Sequence, residues 1–186
     1  LSVEDIVQIM KVNRDIANEA YGWFQSIEFD TTPMRAASLA YNGIAYKGLN
    51  AHDFDSADIE YAQLRLNLVS GLWGMLRPFD AIKPYRLEMV RKIQPDGYKS
   101  LYDFWKIELN QHISNKLDND EKVIINLASK EYSKVLSKPL LPKNTRIINV
   151  VFLQQQGDDL KQIVVHSKKA RGLMSRFIIK NKLVFA

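Results

Sequence analysis

KKARGLMSRFIIKNK, residues 168–182, carries six basic residues and no acidic one. At about 100° per residue, apolar positions gather on one face of a helix. Here they are Ala170, Leu173, Met174, Phe177 and Ile178. Lys168, Lys169, Arg171, Arg176, Lys180 and Lys182 spread around the rest. The spacing predicts a helix whose apolar side docks on a sheet and whose basic side faces solvent or a groove. No acid within the segment offers an i,i+4 ion pair to relieve the crowding of positive charge. Arginines among the lysines suit bidentate contact with phosphate. Lys168, Lys169, Arg171 and Arg176 are therefore candidate phosphate contacts, against the plainer reading of a solvated surface helix. A membrane-surface helix fits less well, because the segment lacks Trp.

The chain has 186 residues, 46% hydrophobic and 25% charged, which predicts one domain with a real core rather than a disordered chain. With no cysteine, a disulfide scaffold, a thiolate zinc site and a cysteine nucleophile are excluded. No apolar run approaches the roughly 20 residues of a membrane span, and the start, LSVEDIVQIM, lacks signal-peptide features. A cytoplasmic location with no membrane partner is the expectation. The net charge of +5 suits an anionic partner, or simply a lysine-rich surface. Four acids fall within residues 53–60, and residues 115–121 are also acidic.

Along the chain, Ser2 and Asp5 form a near capping box for a first helix bearing Ile6, Ile9 and Met10. A polar break at residues 11–13 precedes a second helix over residues 14–24. Thr31-Thr32-Pro33 predicts a helix start, with Gly43 its end. Asp55 and Ser56 predict the cap of a helix reaching Arg65. Residues 66–70 alternate as a strand does, and residues 71–84, with two glycines and two prolines, read as an ordered loop. Residues 101–117 read as an amphipathic helix. Residues 123–128 and 147–153 are apolar runs suited to strands buried on both faces. Gly157-Asp158 would turn the second run into a strand at residues 163–165. The fold class expected is α+β: a central mixed β-sheet covered by helices, with an N-terminal helix-hairpin-helix-like element.

That element is IVQIMKVNRDIA, residues 6–17. Two short helices about a tight turn can hold a phosphate on backbone N–H groups and a helix N-terminus. Val12 would be the buried turn residue, Asn13 the N-cap and Ala17 the small contact residue. Lys11 and Arg14 would flank the phosphate. Lys11 and Asn13 stand where such turns usually have glycine, so an ordinary corner between two helices fits as well. A second dense segment, SGLWGMLRPFDAIKPYRLEM (residues 70–89), packs Arg77, Asp80, Lys83, Tyr85, Arg86 and Glu88 into twelve residues. Its arginines suit phosphates or carboxylates. Taken alone, the segment is more simply a structural loop tied by internal Arg–Asp and Arg–Glu pairs.

Four blocks in order, YKGLNAHDF (46–54), residues 70–89, INLASKEY (125–132) and KKARGLMSRFIIKNKL (168–183), resemble the YaaA peroxide-stress family over nearly the whole chain. The resemblance implies a cytoplasmic bacterial protein that helps cells survive hydrogen peroxide and is linked to limiting free iron and Fenton damage to DNA. It also implies an α/β fold with a positive cleft and a helix-hairpin-helix suited to DNA. The partner expected is DNA, held by shape rather than sequence, through Lys11, Asn13, Arg14, Arg77, Arg86, Lys168, Lys169, Arg171 and Arg176. The family pattern also has an opening strand with an SPAKTL-like segment and a Gly-Tyr-containing end, neither of which is in this sequence. Val184-Phe185-Ala186 reads as part of that later strand.

His52, His112 and His166 are far apart in sequence, and no helical His pair marks a metal site. No phosphate-binding glycine loop is present. Ser129-Lys130 pairs a nucleophile with an amine, but adjacent side chains rarely face each other. A nuclease needs clustered acids at a metal, and only Asp80 and Glu88 offer a pair. No catalytic residue, metal or cofactor is expected. The alternative is an enzyme or metabolite-binding protein with its site in residues 77–88.

Overall fold

A computed structural model describes residues 1–27, 31–117 and 122–184. Most of the acidic stretch at 115–121, and Phe185 and Ala186 of the C-terminal strand reading, lie outside the described residues.

Helices α1 (Val3–Met10) and α2 (Arg14–Ser26) come first. Ser2 and Asp5 complete a reciprocal capping box on α1, and the Asn13 side chain caps α2 by accepting from Ile16 N–H at 2.9 Å. Ile6, Met10, Ala17 and Ala20 close a small core between the two helices. Next are β1 (Arg35–Ala36), α3 (Ala37–Ala40), α4 (Ile44–Leu49) and, after a 3-10 turn at Ala51–Asp53, α5 (Ser56–Arg65). The helix expected from Pro33 to Gly43 is thus only α3, and Gly43 begins α4 rather than ending a helix. Asp55 caps α5 as its sequence predicts.

Strands β2 (Leu68–Ser70), β3 (Gly74–Leu76) and β4 (Ala81–Ile82) follow. β2 and β3 pair antiparallel, and β4 pairs with β1, so the stretch read as irregular loop holds two short strands. Then come α6 (Leu101–Lys116), β5 (Val123–Asn126), α7 (Lys130–Ser133), β6 (Arg146–Asn149), β7 (Gln154–Gln156), β8 (Asp159–Lys161) and α8 (Val164–Lys180).

There is no single central sheet among the described residues; the strands form four separate pairs. The apolar runs expected to be buried on both faces are the parallel pair β5–β6, where β5 is half-buried and β6 largely exposed. Gly157 does turn a hairpin, but it joins β7 to β8. Val164 and Val165 open α8 instead of forming a strand. Branched residues favour strands only when a neighbouring layer covers them. Here Val164 is 64% exposed.

Helix α8 docks on α4, not on a sheet, and does so backbone to backbone. A Cβ added to Gly172 would lie 1.8 Å from the Ala45 carbonyl oxygen and 2.7 Å from Leu49 N. One added to Gly48 would lie 2.6 Å from the Lys169 carbonyl oxygen. The buried stripe of α8 is Ser167, Gly172 and Ile179. Leu173 and Phe177, placed on the docking face by the wheel, are 49% and 55% exposed. The apolar count misplaced the face because two glycines let main chains approach more closely than any side chain permits. Ile179 then joins Leu49, Ala51 and Ala62 in a second core.

Gly172→Ala should destabilise the protein in urea unfolding. The alanine gains about 1 kcal/mol of helix propensity, but overpacking costs roughly 1–3 kcal/mol, and backbone cannot swing aside. Gly22→Ala in α2, where a Cβ meets nothing within 4 Å, should stabilise by up to about 1 kcal/mol. Equal effects at the two sites would contradict the close helix contact.

Candidate nucleic-acid interface

The basic helix is divided by its seat on α4. Arg176 grips Asp53 with both terminal nitrogens, at 2.6 and 2.8 Å. It also donates to the carbonyls of Asn50 and Leu49 at 3.0 and 3.4 Å. Those carbonyls end α4, where a cation is favoured by unpaired acceptors and by the helix dipole. Lys180 and Lys182 both bind the buried carboxylate of Asp58, and Lys180 also reaches the Asp53 carbonyl. The acids missing from the helix itself are supplied by residues 53–58. Lys168 and Lys169 are exposed, and neither pairs with an acid among the described residues. Arg171 is half-buried, with a buried Nε–H that has no acceptor among the described residues.

At the first two helices, Lys11 takes left-handed backbone angles, φ 53° and ψ 50°. That is the conformation for which glycine is otherwise preferred. Val12 packs against the α1–α2 core, and Ala17 is fully buried within it. Lys11 and Asn13 point outward in exposed positions, while Arg14 pairs with Glu4 at 2.9 Å on the surface.

The third group lies in residues 70–91. Arg77 binds Asp80 through Nε at 2.8 Å, and its own backbone N–H also donates to that carboxylate at 2.8 Å. Burial disfavours the charged form of Asp80, but these hydrogen bonds outweigh it and hold the carboxyl below its ordinary value. Main-chain bonds from Ala37 to Asp80 and from Ser38 to Pro78 stitch the turn to α3. Arg86 and Arg91 share Glu88, at 3.0 and 2.7 Å. Arg86 also keeps a buried Nε–H without an acceptor among the described residues. Beside Arg77, burial, then the charges of Lys116 and Arg77, push the His112 imidazole down.

Beneath this segment is a hydroxyl cluster whose members lie far apart in sequence. Ser70 Oγ and Tyr41 OH each lie 2.6 Å from Tyr85 OH. Ser70 Oγ also accepts backbone N–H bonds from Leu72 at 3.1 Å and Trp73 at 2.8 Å. Burial raises the phenols of Tyr41, Tyr46, Tyr85 and Tyr132 above their ordinary value. The Ser70-x-x-Trp73 spacing of a serine-capped turn was a sequence signal for part of this. Nothing near Tyr41 marked its partner 44 residues away.

Among the described residues, no three His, Cys, Asp or Glu side chains gather as a metal site, and no helix is long and apolar enough to cross a membrane.

A family model described as peroxide stress protein YaaA matches residues 1–184. A UPF0246 protein of Clostridium perfringens strain 13 is 40% identical over 188 aligned positions, covering 98% of this chain and 72% of that protein. A UPF0246 protein of Maricaulis maris is 38% identical over 184 positions, covering 98% and 69%. One from Legionella pneumophila strain Corby is 38% identical over 187 positions, covering 98% and 72%.

The hydrogen bonds of Lys180, then Lys182, hold the Asp58 carboxyl at about 2, against an ordinary 3.8. A carboxyl depressed in the folded state adds stability above its unfolded value, and that contribution is lost as pH falls toward the folded one. Unfolding followed by circular dichroism should therefore show stability falling between about pH 4 and pH 2. Asp58→Asn should be less stable at pH 7 and show a shallower decline in that window. An unchanged acid profile would contradict the anchoring role of Asp58.

Proposed function

The chain belongs to the YaaA peroxide stress protein family, and we propose that it acts in peroxide stress by occupying DNA through the phosphate backbone, so limiting free-iron (Fenton) damage there. The observation that carries this reading is the division of the basic residues. Arg14, Arg77, Arg86 and Arg176 are engaged by Glu4, Asp80, Glu88 and Asp53. Lys11, Lys168, Lys169 and Arg171 form no ion pair among the described residues. A protein that keeps some cations paired and leaves a subset facing outward has charge available for an external anion.

The hairpin contributes in the manner of a helix-hairpin-helix. The first turn of α2 has N–H groups beyond the reach of its own helix ladder, and Asn13 satisfies only that of Ile16. Ala17 is buried as such a turn requires, and Val12 packs, partly buried, against the same core. The left-handed angles at Lys11 supply the conformation without a glycine. Asp15 in the same turn opposes an anion, which suits moderate, sequence-independent affinity.

Labelled duplex DNA followed by anisotropy tests the reading. Four side-chain contacts predict a slope of log affinity on log salt of about −3.5. Lys168→Ala and Lys169→Ala should each lower that slope by about 1, whereas Arg77→Ala should leave it unchanged. Failure of duplex and branched DNA to bind at low salt would overturn the proposal.

A further inference from the structure

Residues 147–153, Ile-Ile-Asn-Val-Val-Phe-Leu, contain no charged residue and no proline. The first three end β6, whose only strand partner among the described residues is β5, so the other side of β6 is a free edge. Val150 N–H still reaches the Asn126 carbonyl at 3.3 Å, and residues 151–153 run on with no strand beside them among the described residues. Free edges are normally blunted by charges, proline or a bulge, because bare main chain recruits another strand. Parallel strands are also found almost only with both faces covered. From residue 147 onward this edge has no such guard, and Val151 and Leu153 are 62% and 52% exposed.

A groove of about 630 Å³ opens beside this segment, between residues 151–155 and Ile163, His166, Ser167 and Ala170 around the start of α8. Ser167 Oγ donates to the Phe152 carbonyl at 3.3 Å, which ties the end of the segment to the helix. No Lys, Arg, Asp or Glu lines the groove, so a phosphate backbone finds no counter-charge there. At about 100° per residue, Leu173 and Phe177 continue the line of His166 and Ala170 along α8, on the side turned away from Gly172 and α4. Both are exposed. The apolar face that the sequence predicts to dock on a sheet is thus bare, while the glycine face is seated. A free main-chain edge beside an uncharged, apolar groove fits a peptide strand. The strand's N–H and C=O groups extend the ladder, and its alternate side chains enter the groove. Residues 148–153 offer it six positions, an ordinary strand length.

The family itself has sequence to supply such a strand. The three relatives compared above match 98% of this chain, yet the match makes up only 72%, 69% and 72% of their own lengths. More than a quarter of each lies outside the matched region. We propose that the free edge of β6 and the groove beside α8 are the seat of an apolar β-strand from that unmatched sequence of the longer family members, laid along residues 148–153 and covering Leu173 and Phe177. The seat stands apart from the DNA reading, because its lining carries none of the basic residues on which that reading depends.

Hydrogen exchange read by mass spectrometry, on this chain and on one full-length longer relative, tests the seat. In this chain the amides of residues 151–153 should exchange fast at every protein concentration. In the relative the aligned amides should exchange roughly a hundredfold more slowly, as paired main chain does. Photo-crosslinking then identifies the occupant. A benzophenone side chain replaces the residue of the relative aligned with Val151, and a mixture of isotopically light and heavy protein separates links within one chain from links between copies. The link should fall within one chain, on a peptide from outside the matched region. Equally fast exchange in both proteins overturns the proposal. So does protection in this chain that grows with concentration, or a link between two copies, either of which assigns the seat to a second copy. A link to a foreign protein or to the matched region, or no link at all, overturns it as well.

Discussion

The main-chain contact between Gly172 of α8 and Ala45 and Leu49 of α4 sets the register of everything around it. A helix seated side chain to side chain can shift by small steps, but one seated on glycine against carbonyl cannot. With Gly172 fixed, Arg176 falls one turn further along, over the last carbonyls of α4 and the Asp53 carboxylate. Lys180 and Lys182 fall on Asp58, and Ile179 falls among Leu49, Ala51 and Ala62. Lys168 and Lys169 are left outward. The same contact therefore makes half of the basic helix structural and leaves half available.

Local chemistry was legible in the sequence where both partners lie within one turn. The capping box at Ser2 and Asp5, the Asn13 and Asp55 caps and the extent of α6 are of this kind. The docking face of α8 was not legible. A helical wheel weighs side-chain apolarity, and the decisive residue has no side chain. Nor were the acids that neutralise Arg176, Lys180 and Lys182, because they arrive from more than 120 residues away. The sheet was misjudged for a related reason. Apolar runs such as residues 147–153 report strand preference, whereas burial depends on layers contributed by the rest of the fold.

The candidate site repeats the lesson. The Arg77–Asp80 and Arg86–Glu88 pairs were visible as alternatives to phosphate contact, since the partners are three and two residues apart. Gly71 and Gly74 mark the closest approaches in that segment: a Cβ on the first would meet the Leu87 carbonyl oxygen at 2.5 Å, and one on the second the Trp105 ring at 2.7 Å. Trp105 Nε1 donates to the Gly71 carbonyl at 2.9 Å. These contacts hold Ser70 and Tyr85 in place beneath Tyr41. Tyr41 itself comes from the segment between α3 and α4, so only the folded chain brings the hydroxyls together.

Lysine acetylation read by mass spectrometry tests most directly whether the seat of α8 divides its cations. In the free protein, Lys168 and Lys169 should react quickly, while Lys180 and Lys182, held by Asp58, react slowly. With saturating duplex DNA, Lys168 and Lys169 should become shielded and Lys180 and Lys182 remain as before. Fast labelling of Lys180 and Lys182 in the free protein, or DNA shielding confined to those two, would contradict the account.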